Sequence, residues 1–224
     1  MLHEFVHVFT HADKGIFAFS KQILLRPGVV ALDFVEGRRK RHFNLFQYLL
    51  LVLSAATFLM IKTNMLQQAM QTMNQASQLD YSSDMLRLQQ KIGSFIQQYT
   101  NVLQFIMLPM YGLFSWLFLK KARFNYAEHI VLHAAVLANT NTLTVLTMLL
   151  VLVFPSFLQA QLLISSVLSL AVYGMAFKGF FNKAWWKGVL LGFTGYLCSL
   201  LLLMVMSAIF MAIYIIIIGG PKNL

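Results

Sequence analysis

Long apolar runs separated by short basic loops dominate the chain. Five of them reach or approach the ~20 mostly apolar residues of a membrane-spanning helix. They cover about residues 45–61, 102–119, 130–154, 157–177 and 188–218, and none contains Asp, Glu, Lys or Arg. Pro155-Ser156 divides the third from the fourth, and proline cannot continue a helix with a normal backbone bond, so a tight turn is predicted there. The fifth run would extend ~46 Å as a helix against a ~30 Å hydrocarbon core. No polar turn divides it, so it predicts one span that tilts, projects or kinks.

Between the first two runs the pattern changes. Met85, Leu88, Ile92, Phe95 and Tyr99 step by three and four, as do Leu66, Met70 and Met73. These are helical seams. The polar stretch between them offers Ser82 or Ser83 as an N-cap. The spacing predicts an external helical hairpin over 62–101, serving as a packing seam or a partner surface.

Residues 1–44 mix apolar and basic positions. Phe17, Ile23, Leu24 and Leu25 accompany Lys14, Lys21 and Arg26, and Pro27-Gly28 then breaks the helix. Val30 and Phe34 share a face of a second short stretch. This reads as an amphipathic arm in the headgroup plane, with Arg38–Arg41 toward anionic lipid or acting only as a topology determinant. The predicted fold is all-α: a polytopic membrane bundle of five spans over 45–218, an arm over 1–44 and a short external tail over 219–224.

Composition supports this division. Apolar residues are 59% and charged residues 11% of the chain, where a soluble domain carries ~25% charged. A soluble globular enzyme, a disordered chain and a collagen are excluded. The formal charge is +10, and thirteen of the seventeen Lys and Arg fall in 1–44, 120–123 and 178–187. That asymmetry places the N-terminus in the cytoplasm and the C-terminus outside. It uses the basic charge for topology, and no nucleic acid partner is expected. Phe180, Phe181, Trp185 and Trp186 flank the lysines of one basic loop as an interfacial anchor. The first 44 residues hold no uninterrupted apolar stretch of signal-peptide type, so the first run is expected to serve as an uncleaved anchor. Cys198 is the only cysteine; it forms no intramolecular disulfide or zinc ribbon and reads as a small hydrophobe.

Three constellations carry candidate chemistry. His3, His7 and His11 recur at i, i+4 and i+8, and His129 and His133 at i, i+4. Imidazoles at that spacing share a helix face and can bind a divalent metal, although the sequence requires no cofactor. Glu128 begins the third span, where a carboxylate caps the helix, pairs with Arg26 or Arg39, or joins the histidines. Asn139, Asn141 and Thr142 lie near the middle of that span and need partners there. They are interhelical glue or the wall of a pathway. Gly188 and Gly192 permit close helix approach. Glycine-rich nucleotide loops, the G-x-S-x-G elbow and H-E-x-x-H are all missing.

H-A-D-K-G at 11–15, L-L-R-P-G at 24–28 and F-V-E-G-R-R-K-R-H-F-N at 34–44 precede the first span, and Y-A-E-H-I-V-L follows at 126–132. In this order they resemble a family of uncharacterised bacterial multi-pass membrane proteins, a domain of unknown function. The shared positions are His11, Asp13, Arg26, Pro27, Gly28, Gly37, Arg39, Glu128 and His129, within about residues 5–135. The resemblance implies a bacterial inner (cytoplasmic) membrane protein and brings no reaction with it. Many members carry a Cys-rich zinc ribbon before the His-Asp motif, which this chain lacks. Leu45 stands where members usually have proline, and the second histidine after the Glu-His pair is differently spaced.

The leading expectation is a non-catalytic membrane protein that binds lipid, a small molecule, a partner protein or a second copy of itself. Arg26, Gly28, Gly37, Arg38, Arg39 and Arg41 would dock the arm on anionic headgroups. The alternatives are a transporter or channel, and a metal-dependent membrane enzyme using Glu128, His129 and His133 with His7 and His11.

Overall fold

A computed structural model describes residues 15–38, 43–65, 83–119 and 124–218, together with 67, 68, 70, 71 and 74. Regular structure among the described residues is helical throughout. The helices are α1 (Gly15–Leu25), α2 (Pro27–Val35), α3 (Leu45–Lys62), α4 (Ser83–Phe118), α5 (Tyr126–Val153), α6 (Leu158–Phe181) and α7 (Trp185–Ile218). Five of these, α3 to α7, are long and apolar enough to cross a membrane. That is the number the apolar runs predict. The 188–218 run lies within the single helix α7, and α4 runs through Pro109 to Phe118.

Local chemistry sets the helix starts. Asn44 caps α3, its Oδ1 accepting from the backbone N–H groups of Phe46 (3.0 Å) and Gln47 (3.2 Å). Asn125 and Glu128 form a reciprocal capping box on α5. Asn125 Oδ1 accepts from Glu128 N at 3.0 Å, and Glu128 Oε2 accepts from Asn125 N at 2.6 Å. Asn125→Ala is therefore expected to lower stability by about 1 kcal/mol, read as a lower thermal midpoint in detergent. Between α5 and α6, Pro155–Phe157 forms one 3-10 turn.

Helix α5 is the central element. Leu132, Ala134, Ala135, Val136 and Ala138 are almost fully buried against α2, α3, α4 and α6. Small residues keep those neighbours close. α4 runs antiparallel to it, with Gly112 against Ile130 and Gln104 bonded to Asn141. α3 pairs with α4 through Thr57–Asn101 and through Gln97 Nε2, which donates to Met60 O at 2.8 Å. Asn74 Nδ2 donates to Gln89 Oε1 at 2.8 Å, which ties the 65–74 region to α4. α6 and α7 meet at glycines: a Cβ on Gly192 would lie 2.5 Å from Gly174 Cα, and one on Gly188 2.5 Å from Lys178 Cα.

The arm expected on the headgroup plane packs differently. α1 and α2 are bent by 111° at Arg26 and fold into the bundle. Phe19, Ile23, Val30, Ala31 and Phe34 are buried with residues of α3, α5 and α6 in one core. The apolar face that the sequence assigns to lipid meets protein instead. Among the described residues of α1 and α2, only Phe17, Leu25 and Val29 keep large apolar surface exposed.

The motif residues explain this path. Pro27 has no N–H and opens α2, a position where proline fits. Gly28 lies so close to α6 that an added Cβ would stand 2.0 Å from Ala176 O. Gly37 closes α2 at φ +80°, a conformation that favours glycine. Arg38 N donates to Asp33 O (2.8 Å) and Gly37 N to Phe34 O (3.4 Å), the two bonds of a Schellman motif.

Candidate functional site

The helices enclose a cavity of about 390 Å³ between α4, α5, α6 and α7, within the size range of ligand pockets. Its walls follow from helical spacing. On α4, Tyr111 and Ser115 are one turn apart, as are Phe114 and Phe118; on α7, Thr194 and Cys198, and Gly195 and Ser199, repeat that spacing. Phe177 of α6 forms a further wall, and Gly195 leaves room for its ring: a Cβ there would lie 2.7 Å from Phe177 Cζ. Phe118 and Leu197 line the cavity and remain 70% and 47% exposed, so it opens on the outer surface of the bundle.

His133 is the polar centre of this space. It is 2% exposed and lines the cavity. The Tyr111 ring stacks on it at 5.8 Å, and Phe177 and Tyr173 meet it edge-on at 5.9 and 6.0 Å. Neither ring nitrogen has a hydrogen-bond partner. Buried polar groups are normally bonded, and these two nitrogens, which have almost no accessible surface, are exceptions. His129, one turn back, is different: its Nδ1 lies 2.8 Å from Ser115 Oγ, and only Nε2 is unpartnered.

The other sequence candidates are dispersed. Glu128 is engaged in the α5 cap. No group of three or more His, Cys, Asp or Glu that could hold a metal occurs among the described residues. His3, His7, His11, Asp13, Arg39 and Arg41 lie outside the described residues. Arg26 is exposed at the α1–α2 bend. Arg38 Nη2 lies 2.6 Å from both Asp33 Oδ1 and Glu36 Oε2, so its charge is already compensated.

The polar stripe of α5 bonds inward. Asn139 Nδ2 donates to Ile23 O (2.6 Å) and Leu24 O (3.3 Å), at the end of α1. Asn141 Nδ2 donates to Gln104 Oε1 (3.0 Å) and Leu137 O (2.8 Å). Thr142 Oγ1 donates to Ala138 O and lies 2.8 Å from Tyr48 Oη, which donates in turn to Ser20 Oγ at 2.9 Å. A space between Thr140, Thr144, Thr147 and Ser165 measures about 10 Å³, at the threshold for a single water.

The cavity residues were only partly marked in the sequence. His133 is marked by its i, i+4 spacing with His129. Cys198, Ser199 and Phe177 carried no signal beyond apolar periodicity.

A family model described as a protein of unknown function (DUF3667) matches residues 13–57. The matched stretch holds α1, α2 and most of α3, including Arg26, Pro27, Gly28 and Gly37; His11, Glu128 and His129 fall outside it. No curated protein and no solved structure matches the chain.

Proposed function

We propose that this chain is a multi-pass membrane protein that holds a lipid-like amphiphile in the cavity between α4 and α7, without chemistry on it. The observation that carries this reading is the cavity itself: a roomy, mostly apolar space with the ring of His133 and the hydroxyl-bearing Tyr111, Ser115, Thr194 and Ser199 on its wall. Such a combination suits a ligand with an apolar body and a small polar head. The opening past Phe118 and Leu197 would let that body enter sideways from the bilayer. In this reading the basic loops lie on the cytoplasmic side of an inner membrane, and the cavity occupies the cytoplasmic half of the bundle.

Other readings find less support. A pathway along α5 would need its polar groups free, yet Asn139 Nδ2, Asn141 Nδ2 and Thr142 Oγ1 are bonded to protein groups, while Asn139 Oδ1 is buried without a partner. A metal-dependent reaction has two imidazoles of one helix and no third ligand among the described residues.

The single cysteine supplies the test, because Cys198 lines the cavity. Alkylation by N-ethylmaleimide in detergent is expected to slow when an amphiphile fills the space. At ten times its Kd the slowing should be about tenfold, by mass action on the unoccupied fraction. Unchanged alkylation across a panel of neutral and charged amphiphiles at saturating concentration would remove the cavity reading.

A further inference from the structure

In a bilayer the two ends of α3 would lie at the two headgroup boundaries. The helix has 18 residues, about 27 Å, against a hydrocarbon core of about 30 Å. Arg38–Arg41 precede it and Lys62 ends it. α1 packs against its first turn. Phe19 meets the rings of Phe43 (6.3 Å) and Tyr48 (5.0 Å), and Ser20 Oγ accepts from Tyr48 Oη at 2.9 Å. α2 gives the same depth independently: Gly28 meets Ala176 and Phe180, in the last turns of α6 beside Lys178. The elbow of α1 and α2 therefore sits at the basic boundary.

A helix at that depth, with one face in protein, ordinarily turns a polar face outward. This elbow does not. Phe17, Leu25 and Val29 are 74%, 61% and 41% exposed, and Lys21 and Arg26 are exposed among them. Phe17, Lys21 and Leu25 stand at i, i+4 and i+8, on one face of α1.

Apolar and cationic positions side by side have a use at this depth. Apolar side chains take acyl chains, while Lys and Arg lay their stems along apolar surface and carry their charge to the phosphate layer. Neither Lys21 nor Arg26 makes an ion pair among the described residues, and the carboxylates of α2, Asp33 and Glu36, are turned to Arg38. A soluble partner would reach the two cations but not the apolar positions at the hydrocarbon edge; a lipid reaches both. A zwitterionic headgroup brings a cation of its own, so net negative charge is preferred.

We propose that the outer face of the α1–α2 elbow binds an anionic phospholipid, with the phosphate at Lys21 and Arg26 and the acyl chains against Phe17, Leu25 and Val29.

The test uses the full chain in phosphatidylcholine nanodiscs. Each sample carries the same trace of phosphatidylglycerol or phosphatidylcholine with a diazirine in one acyl chain, and crosslinks are mapped by peptide mass spectrometry. Phosphatidylglycerol is expected to label residues 17–29 more than phosphatidylcholine, by up to about thirtyfold, or about fivefold for each cation near the surface. Labelling at exposed Leu201 and Met204 of α7 is the internal reference and should not distinguish the two. Lys21→Gln with Arg26→Gln should bring phosphatidylglycerol labelling of the elbow down to the phosphatidylcholine level, with the thermal midpoint unchanged. Lys21→Gln alone should lower it by about fivefold, and serves where the double variant does not fold. Equal labelling of the elbow by both lipids overturns the proposal. So does a preference that survives in the variants, which would assign it to other basic residues. Absence of label from either lipid at 17–29 overturns it too, by showing that protein covers this face. None of these outcomes touches the cavity reading, which uses other residues.

Discussion

Gly28→Ala is expected to unseat α1 and α2 from the bundle. A Cβ at residue 28 would lie 2.0 Å from Ala176 O, 2.7 Å from Phe180 N and 2.8 Å from Ala176 C. All three are backbone atoms of α6, so no side-chain rotation relieves the clash. The approach is tight on both sides, since a Cβ on Gly179 would stand 3.1 Å from Val29 N. Overpacking of a core commonly costs about 1–3 kcal/mol; a backbone clash that moves a whole helix belongs at or beyond the upper end. For a chain of this size, about 3 kcal/mol corresponds to a thermal midpoint lower by roughly 6–12 °C. Amide exchange over residues 15–35 should rise with it, because Phe19, Ile23 and Phe34 lose their burial together. Gly15→Ala is the control: nothing lies within 4 Å of a Cβ there, and it should leave both readouts unchanged. A Gly28→Ala protein with wild-type midpoint and exchange would mean that α2 does not rest on α6 as described.

The same segment shows where sequence reasoning stops. The five long helices were legible because a run of about twenty apolar residues has few other uses. The 15–35 segment was not, because an apolar stripe reports what a helix avoids and not what it touches. Lipid and a neighbouring helix satisfy Ile23 and Phe34 equally well. Pro27-Gly28 was legible as a helix break, but the close approach of Gly28 to α6 was not, because Ala176 lies far along the chain. Asn139 was legible as an amide needing a partner, and its partners are backbone carbonyls more than a hundred residues away. The candidate site divides in the same way. His133 was visible through its i, i+4 spacing with His129. The space beside it depends on how α4 and α7 diverge, and spacing along either helix carries no record of that. The i, i+4 pairs Tyr111–Ser115 and Thr194–Cys198 were present in the sequence, yet such pairs face packed cores more often than cavities.

Asn139→Leu should loosen the α1–α2 bend from the other side. The carbonyl of Ile23 would normally accept from the N–H four residues on, and that residue is Pro27, which has none. The corresponding donor for Leu24 O is Gly28, beyond the 111° bend. Asn139 Nδ2 supplies both, at 2.6 and 3.3 Å, from a fully buried position. Leucine keeps the size of the side chain and removes both bonds, so the effect isolates hydrogen bonding from packing. Interhelical bonds in membranes average only ~0.6 kcal/mol, because the separated helices find other partners. That compensation is unavailable while the bend stays in place, and each buried carbonyl left unpaired costs about 1–3 kcal/mol. Leucine also removes Asn139 Oδ1, which is buried without a partner, and that relief offsets part of the cost. The expected net loss is therefore about 1–2 kcal/mol, set mainly by Ile23. It should lower the thermal midpoint and speed amide exchange in α1 and α2 ahead of α5 itself. Protection of Cys198 by an amphiphile should persist in the protein that remains folded, since Asn139 faces α1 and the cavity lies between α4 and α7. A midpoint and exchange pattern equal to wild type would show that another donor holds the bend. Loss of ligand binding without loss of stability would instead tie Asn139 to the cavity, and would return the polar stripe of α5 to consideration as part of a pathway.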